Sequence, residues 1–356
     1  MSLSSSVGPS ANASSRGAEL TIVIPTYNRP RYLRRALKFW SESGYGIIVA
    51  DGSASRYPGD LPPNVRYFHD TQASLAKRWF DAVNLVETPY VALCGEDDFL
   101  SLHGVRQCLD FLRNNDDYVS AQGHAIEFTV DGKDNITIAV FNEPRIGRNI
   151  DAETPSERMS QLFGEYIFQV FSVYRTSMWR HVLSATKERK NMNYIELGSA
   201  IIPAIFGKHR VLPVFYYARE NVPQSATSTT EAPRFDVLTP EGLADYTEWR
   251  NSVAAILADV DNISQVEAAT IVDRTFAEYN NWDQRTFPSR RALRGNSKLP
   301  FRYRIRKLVP APLLKLRRFL REKTGVRHRA PGYPWSDYTA RQEWTAMVAM
   351  INEHLI

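Results

Sequence analysis

The apolar run Tyr90-Val91-Ala92-Leu93-Cys94 is followed by Gly95 and then by three acids, Glu96, Asp97 and Asp98. A short apolar run that stops at polar residues fits a buried strand with an acidic tip. Three adjacent carboxylates repel one another and are tolerated where a cation or hydrogen-bond donors share the space. A hard divalent ion takes oxygen ligands of this kind and bridges to phosphates, so the tip suggests Mg2+ or Mn2+ chemistry on an anionic substrate. The plainer reading is a solvated turn after a strand. Two further polar tips weigh against it: Thr26-Tyr27-Asn28-Arg29 closes the run 19–25, and Asp51-Gly52-Ser53 closes the run 46–50.

The elements that would carry these tips alternate. Residues 19–25 and 46–50 are continuous and β-branched, as buried strands are, and 65–68 is a short third strand. Leu33, Ala36, Leu37 and Trp40 recur at helical spacing, and Pro30 suits a first helical turn. Residues 74–86 place Ala76, Trp79, Phe80, Ala82, Val83 and Val86 on an inward face. The first hundred residues thus run strand, helix, strand, strand, helix, strand. This order predicts an α/β fold with a mixed, mainly parallel sheet flanked by helices. In such sheets ligands bind beyond the carboxyl ends of the strands, where the three polar tips meet.

Farther along, a helix is expected over 103–114. Strands are expected over 118–130 and 136–141 with a turn at 131–133, over 166–174 and over 211–218. Helices are expected over 155–163, 177–184, 243–257 and 266–282, and residues 221–233 read as a polar loop. The domain reading is a disordered tail over 1–18, a catalytic domain over 19–235 and a helical C-terminal region over 236–356.

The two cysteines, Cys94 and Cys108, read as buried hydrophobes in a reducing compartment, and no run is long enough to span a membrane. A cytoplasmic protein is expected. The net charge of +5 hides an asymmetry: segment 285–329 carries sixteen Lys and Arg and a single acid, Glu322. Within it Leu313, Leu316, Phe319 and Leu320 share one helical face ringed by cations. A basic amphipathic helix of this kind suggests peripheral binding to an anionic membrane surface on the inner face of the plasma membrane. No recognised nucleic-acid module appears, so nucleic acid is not the expected partner.

Taken together, 21–29 (Thr-Ile-Val-Ile-Pro-Thr-Tyr-Asn-Arg), 48–53 (Ile-Val-Ala-Asp-Gly-Ser), Ala76-Lys77-Arg78 at a helix start and Gly95-Glu96-Asp97-Asp98 resemble the nucleotide-sugar half of family 2 glycosyltransferases of the GT-A fold. The resemblance spans about 19–220. It implies that Pro25, Thr26, Tyr27 and Arg29 lie along the nucleotide and that Asp51 bonds the base. Lys77 or Arg78 would offset the diphosphate. Glu96, Asp97 and Asp98 would stand where the family keeps its Asp-x-Asp motif, with Gly95 in place of the usual first Asp. The resemblance favours Asp97 as the direct metal ligand, with Glu96 and Asp98 bonding ribose, sugar, metal or its water.

It also implies a catalytic acid about a hundred residues later. Glu196, the one acid between Asn191 and Arg219, is the expected base, with Glu165 as the alternative. The implied reaction is inverting transfer of a sugar from a nucleoside-diphosphate sugar donor to a hydroxyl of a saccharide or lipid-linked glycan acceptor, in bacterial surface polysaccharide synthesis. Two other readings compete. A nucleotidyltransferase would show a glycine-rich loop after the first strand, and residues 26–30 contain no glycine. A non-catalytic glycan- or nucleic-acid-binding protein would need no base.

Overall fold

The computed structural model describes residues 19–132, 135–140, 148–164, 168–186, 189, 191–222, 237, 239–286 and 337–355. Its centre is a nine-stranded sheet. Strand β1 (Leu20–Thr26) is buried along its whole length and pairs in parallel with β2 (Gly46–Asp51) and β4 (Tyr90–Leu93). Strand β3 (Val65–His69) extends the parallel part beyond β2. Burial on both faces explains the unbroken apolar runs. Within β1, Val23 enters the core on one side of the sheet, while Leu20, Ile22 and Ile24 enter the core on the other.

Helix α1 (Pro30–Ser41) crosses from β1 to β2, and α2 (Leu75–Asn84) from β3 to β4. The Ser74 hydroxyl accepts from the Lys77 amide at 3.2 Å, an N-cap that fixes where α2 starts. Beyond the acid tip lie the two-residue β5 (Phe99–Leu100), α3 (Leu102–Arg113), β6 (Tyr118–Val130) and β7 (Ile136–Val140).

Then follow α4 (Pro155–Gly164), β8 (Val173–Arg175), α5 (Thr176–Thr186), α6 (Met192–Phe206) and β9 (Lys208–Glu220). The sheet order is β3-β2-β1-β4-β8-β6-β9-β5, with β7 paired to β6. Strand β8 runs antiparallel to both β4 and β6, so it joins the parallel half to the rest.

The expected α/β architecture is therefore present, with local differences. Of the strand expected over 166–174, residues 166 and 167 lie outside the described residues; from 168 onward it shrinks to Val173–Arg175, because the chain turns just before it, the Ser172 amide bonding to the Gln169 carbonyl at 2.8 Å. The strand expected over 211–218 lengthens to Lys208–Glu220. Strand β5, too short for a sequence pattern, pairs antiparallel with β9 through Phe99–Ala218 and Leu100–Tyr217.

Helices α7 (Pro240–Asp261) and α8 (Gln265–Thr286) share one core with α2, α4, α5 and α6; Trp249, Val272 and Tyr279 are buried in it. Helix α9 (Tyr338–Glu353) returns to the sheet and packs Trp344, Met347 and Ile351 against Phe99, Ile126 and Phe128. The basic segment is outside the described residues from 287 onward, as are the tail 1–18 and the 235/236 boundary. Among the described residues no helix is long and apolar enough to cross a membrane.

Candidate active site

The three polar tips converge at one end of the parallel strands, as β1, β2 and β4 are neighbours with their carboxyl ends together. At the β4 tip the chain makes a tight turn, the Asp98 amide bonding to the Gly95 carbonyl at 3.1 Å. A Cβ on Gly95 would stand 2.8 Å from Asp98 Oδ2 and 2.9 Å from Asp97 Oδ1, so the carboxylates fold back over a residue that must be small.

Asp98 turns inward. Its Oδ2 accepts from Tyr217 Oη at 2.5 Å and its Oδ1 from the Glu220 amide at 2.9 Å, both on β9. The residue expected to share a metal with Asp97 thus commits both oxygens to joining the tip to β9. Glu96 and Asp97 face the mouth, where Arg29 Nη1 lies 2.6 Å from Asp97 Oδ2 and 3.6 Å from Glu96 Oε1. Arg35, which the sequence pattern did not single out, is buried beneath. Its Nη2 donates to the Asp97 carbonyl at 2.7 Å and pairs with Glu220 Oε2 at 2.7 Å, with the guanidinium 4.9 Å from the Phe99 ring. Its one visible signal is a charge among the inward positions Leu33, Ala36 and Leu37.

Burial, and then the Asp97 charge, push the Glu96 carboxyl up to about 8 and the Asp98 carboxyl up to about 7. Acids crowded together in this way favour a positive charge beside them.

At the β2 tip, Asp51 is buried. Its Oδ1 accepts from the Ser53 amide at 2.7 Å and its Oδ2 from Tyr67 Oη at 2.5 Å. Burial and that bond push the Tyr67 phenol up to about 12. Asn28 adopts φ 55° and links the first two tips: its amide donates to Ser53 Oγ at 2.7 Å, and its Oδ1 accepts from the Ala54 amide at 3.0 Å.

The two cations at the start of α2 separate. Lys77 pairs with Asp81 one turn on, at 2.6 Å, on the outer face. Arg78 turns in and lies on Gly52, where a Cβ would come within 2.2 Å of its guanidinium. Its Nη1 donates to the Ala73 carbonyl at 2.7 Å, and its Nε is buried with no partner among the described residues. Burial lowers its pKa, against the pull of Asp51, Asp70, Tyr27 and Glu96 around it. Pro25 and Thr26 are buried at the end of β1, and Tyr27 stands exposed beside them.

Glu196 is half-buried in the second turn of α6, its carbonyl accepting from Ser199 Oγ at 2.7 Å. It lies within electrostatic range of Arg219, as do Asp98 and Glu127, so α6 brings it toward the β9 end that grips the acid tip. Glu165 lies outside the described residues.

Among the described residues no group of three or more His, Cys, Asp or Glu is arranged as a metal cage. The mouth offers two carboxylates instead, Glu96 and Asp97, a donor set that suits a hard cation whose remaining ligands come from phosphate and water.

Residues 21–161 match the family model described as Glycosyl transferase family 2. Among solved structures it resembles S. aureus TarS 1-349 in complex with UDP-GlcNAc, with 14% identity and a TM-score of 0.50 over 76% of this chain and 73% of that one. It also resembles the crystal structure of S. aureus TarS 1-349, with 16% identity and a TM-score of 0.49 over 79% of this chain and 76% of that one. Against the longer crystal structure of S. aureus TarS, the identity is 14% and the TM-score 0.47 over 75% of this chain, which spans 43% of that one. At 14% identity the likeness to the UDP-GlcNAc complex is one of fold, and it agrees with the α/β sheet flanked by helices described above. No curated protein matches the chain.

Proposed function

We propose that the chain is a nucleotide-sugar-dependent, inverting glycosyltransferase. The observation that carries this reading is the meeting of three strand tips around the buried Arg78, which lies on Gly52, has no partner for its Nε among the described residues, and has Tyr27, Asp51 and Glu96 within electrostatic range. A cation in a bed that excludes any side chain at Gly52 suits the close approach of a phosphate oxygen. Asp51 and Tyr67 flank the place for the base, Tyr27 offers its exposed ring, and Arg29 completes the cationic surround. Lys77, paired with Asp81, stays outside it.

Glu96 and Asp97 are the residues that would hold Mg2+ or Mn2+, which when bound neutralises diphosphate charge. Asp98 would keep the tip in place through β9. On the other side Glu196 would accept the proton of the acceptor hydroxyl as that oxygen bonds to the anomeric carbon. The bond from that carbon to the diphosphate breaks, the electron pair leaves with the diphosphate, and the configuration inverts. A saccharide or lipid-linked glycan acceptor and a role in bacterial surface polysaccharide synthesis rest on family resemblance.

The test is hydrolysis and transfer across a panel of nucleotide sugars, with Mn2+ and with a chelator. UDP-GlcNAc comes first, because the TarS structure of similar fold is described with that molecule. Release of nucleoside diphosphate from one donor, abolished by Arg78→Ala in a folded protein, supports the reading. No release from any donor together with no nucleoside diphosphate binding would remove it.

A further inference from the structure

The cation in the mouth of the acid tip belongs to the protein itself. Arg29 stands at the N-cap position of α1 with φ −131° and ψ 57°, and its side chain makes no cap bond. It reaches instead to Asp97 Oδ2 at 2.6 Å and Glu96 Oε1 at 3.6 Å; the three side chains are only 18%, 13% and 11% exposed. Asp98 cannot relieve the crowding, since Tyr217 and the Glu220 amide hold its oxygens. One guanidinium nitrogen therefore serves the two carboxylates that face the mouth. A divalent ion seeking those oxygens meets a positive charge a few ångströms away in a poorly solvated place, where like charges repel strongly.

We propose that Arg29 is a resident counter-cation of the acid tip that changes partner when the donor binds. In this exchange it couples the binding of the divalent ion to that of the nucleoside diphosphate. The inference rests on the donor-binding reading above. A guanidinium bonds phosphate oxygens as readily as carboxylates, in the same forked geometry. A diphosphate arriving beside Arg78 offers Arg29 a second set of acceptors. As Arg29 turns to them, Asp97 is uncovered for the ion. Each ligand then strengthens the other by one and the same factor, as linkage requires. Without Arg29 the tip stands open, the ion binds alone, and the coupling shrinks.

The experiment measures Mn2+ binding to the full chain from the free-ion electron paramagnetic resonance signal, with no nucleotide and with saturating UDP, GDP or dTDP. The proteins are the wild type, Arg29→Met and Arg29→Lys. With no nucleotide, Arg29→Met should bind Mn2+ at least about tenfold more tightly than the wild type, a modest coupling by the usual scale. Arg29→Lys should fall between them, and it serves as the test variant if circular dichroism shows the methionine variant unfolded. The nucleoside diphosphate that tightens Mn2+ binding most in the wild type should do so less in Arg29→Met. The inference is overturned if removing the guanidinium leaves Mn2+ binding no tighter than in the wild type, including the case where neither binds measurably. If no nucleoside diphosphate binds the wild type even with Mn2+, the donor reading falls and the coupling with it. The comparison without nucleotide then still decides whether Arg29 shields the tip.

Discussion

Glu196 is a half-buried acid on a helix that is otherwise mostly apolar, within electrostatic range of Arg219 and thus of the strand end that holds Asp98. As the base it would make its contribution in the transfer step and little to donor binding. Glu196→Gln keeps the size and the hydrogen-bonding capacity and removes the charge. Transfer should fall at least about a hundredfold while nucleoside diphosphate affinity measured by calorimetry stays near the wild-type value. A loss under about tenfold, with Glu165→Gln inactive, would transfer the role to Glu165.

The acid tip makes a second prediction at this scale. Glu96 and Asp98 have carboxyls raised to about 8 and about 7 in the folded protein. A carboxyl raised on folding favours the folded state while protonated, and that stabilisation is lost as pH rises through the folded value. His209, buried and with its pKa pushed down to about 3, acts in the opposite sense, but only below the ordinary histidine value of about 6.5. Between about pH 6.5 and 8, then, the ligand-free protein should lose stability as pH rises. Urea unfolding at several pH values will show it. Asp98→Asn should flatten the slope, and a variant with the wild-type slope would mean that Asp98 does not titrate in this range.

At the scale of elements, α9 lies far along the chain yet abuts the acid tip. Trp344 packs edge-on against Phe128 with ring centroids 5.4 Å apart, in the same cluster as Phe99, the residue after Asp98. Glu343 caps α3, accepting from the His103 amide at 2.8 Å and from the Ser101 hydroxyl. Trp344→Ala should therefore cost about 3–5 kcal/mol, as large-to-small changes at buried aromatics do. Glu343→Ala should cost about 1 kcal/mol, the usual worth of an N-terminal cap. Thermal melts of both, beside an exposed control such as Gln342→Ala, will order them. If Trp344→Ala melts with the control, α9 contributes no stability to the core it touches.

At the scale of the whole molecule, the charge is lopsided: sixteen cations and one acid over 285–329 sit in a chain of net charge +5. Anionic vesicles should bind the full chain, at about 1 kcal/mol per cation near the surface, and salt should release it. Removing everything after residue 284 would confound this, because it also removes α9 from the core. The sound variant replaces Lys315, Arg317, Arg318 and Arg321 with glutamine in the full chain. Flotation with vesicles containing phosphatidylglycerol should fall sharply in that variant. Equal flotation with neutral and anionic vesicles would sink the membrane reading.

Much of this was legible in the residues themselves. Unbroken apolar runs ending in polar residues marked β1, β2 and β4, since a parallel strand buried on both faces leaves its chemistry only at the tip. Helical spacing marked α1 and α2 in the same way. What periodicity reports is that a face is buried, not against what. Tertiary structure alone decided that β8 would enter the sheet between β4 and β6 and that a two-residue strand would pair with β9. It alone sent Arg78 inward and left Lys77 to Asp81, because adjacent helical residues point about 100° apart and only packing says which faces the site. In the same way, three equivalent acids became one carboxylate held by β9 and two facing Arg29, for the turn at Gly95 aims each side chain and β9, more than a hundred residues later, supplies the donors.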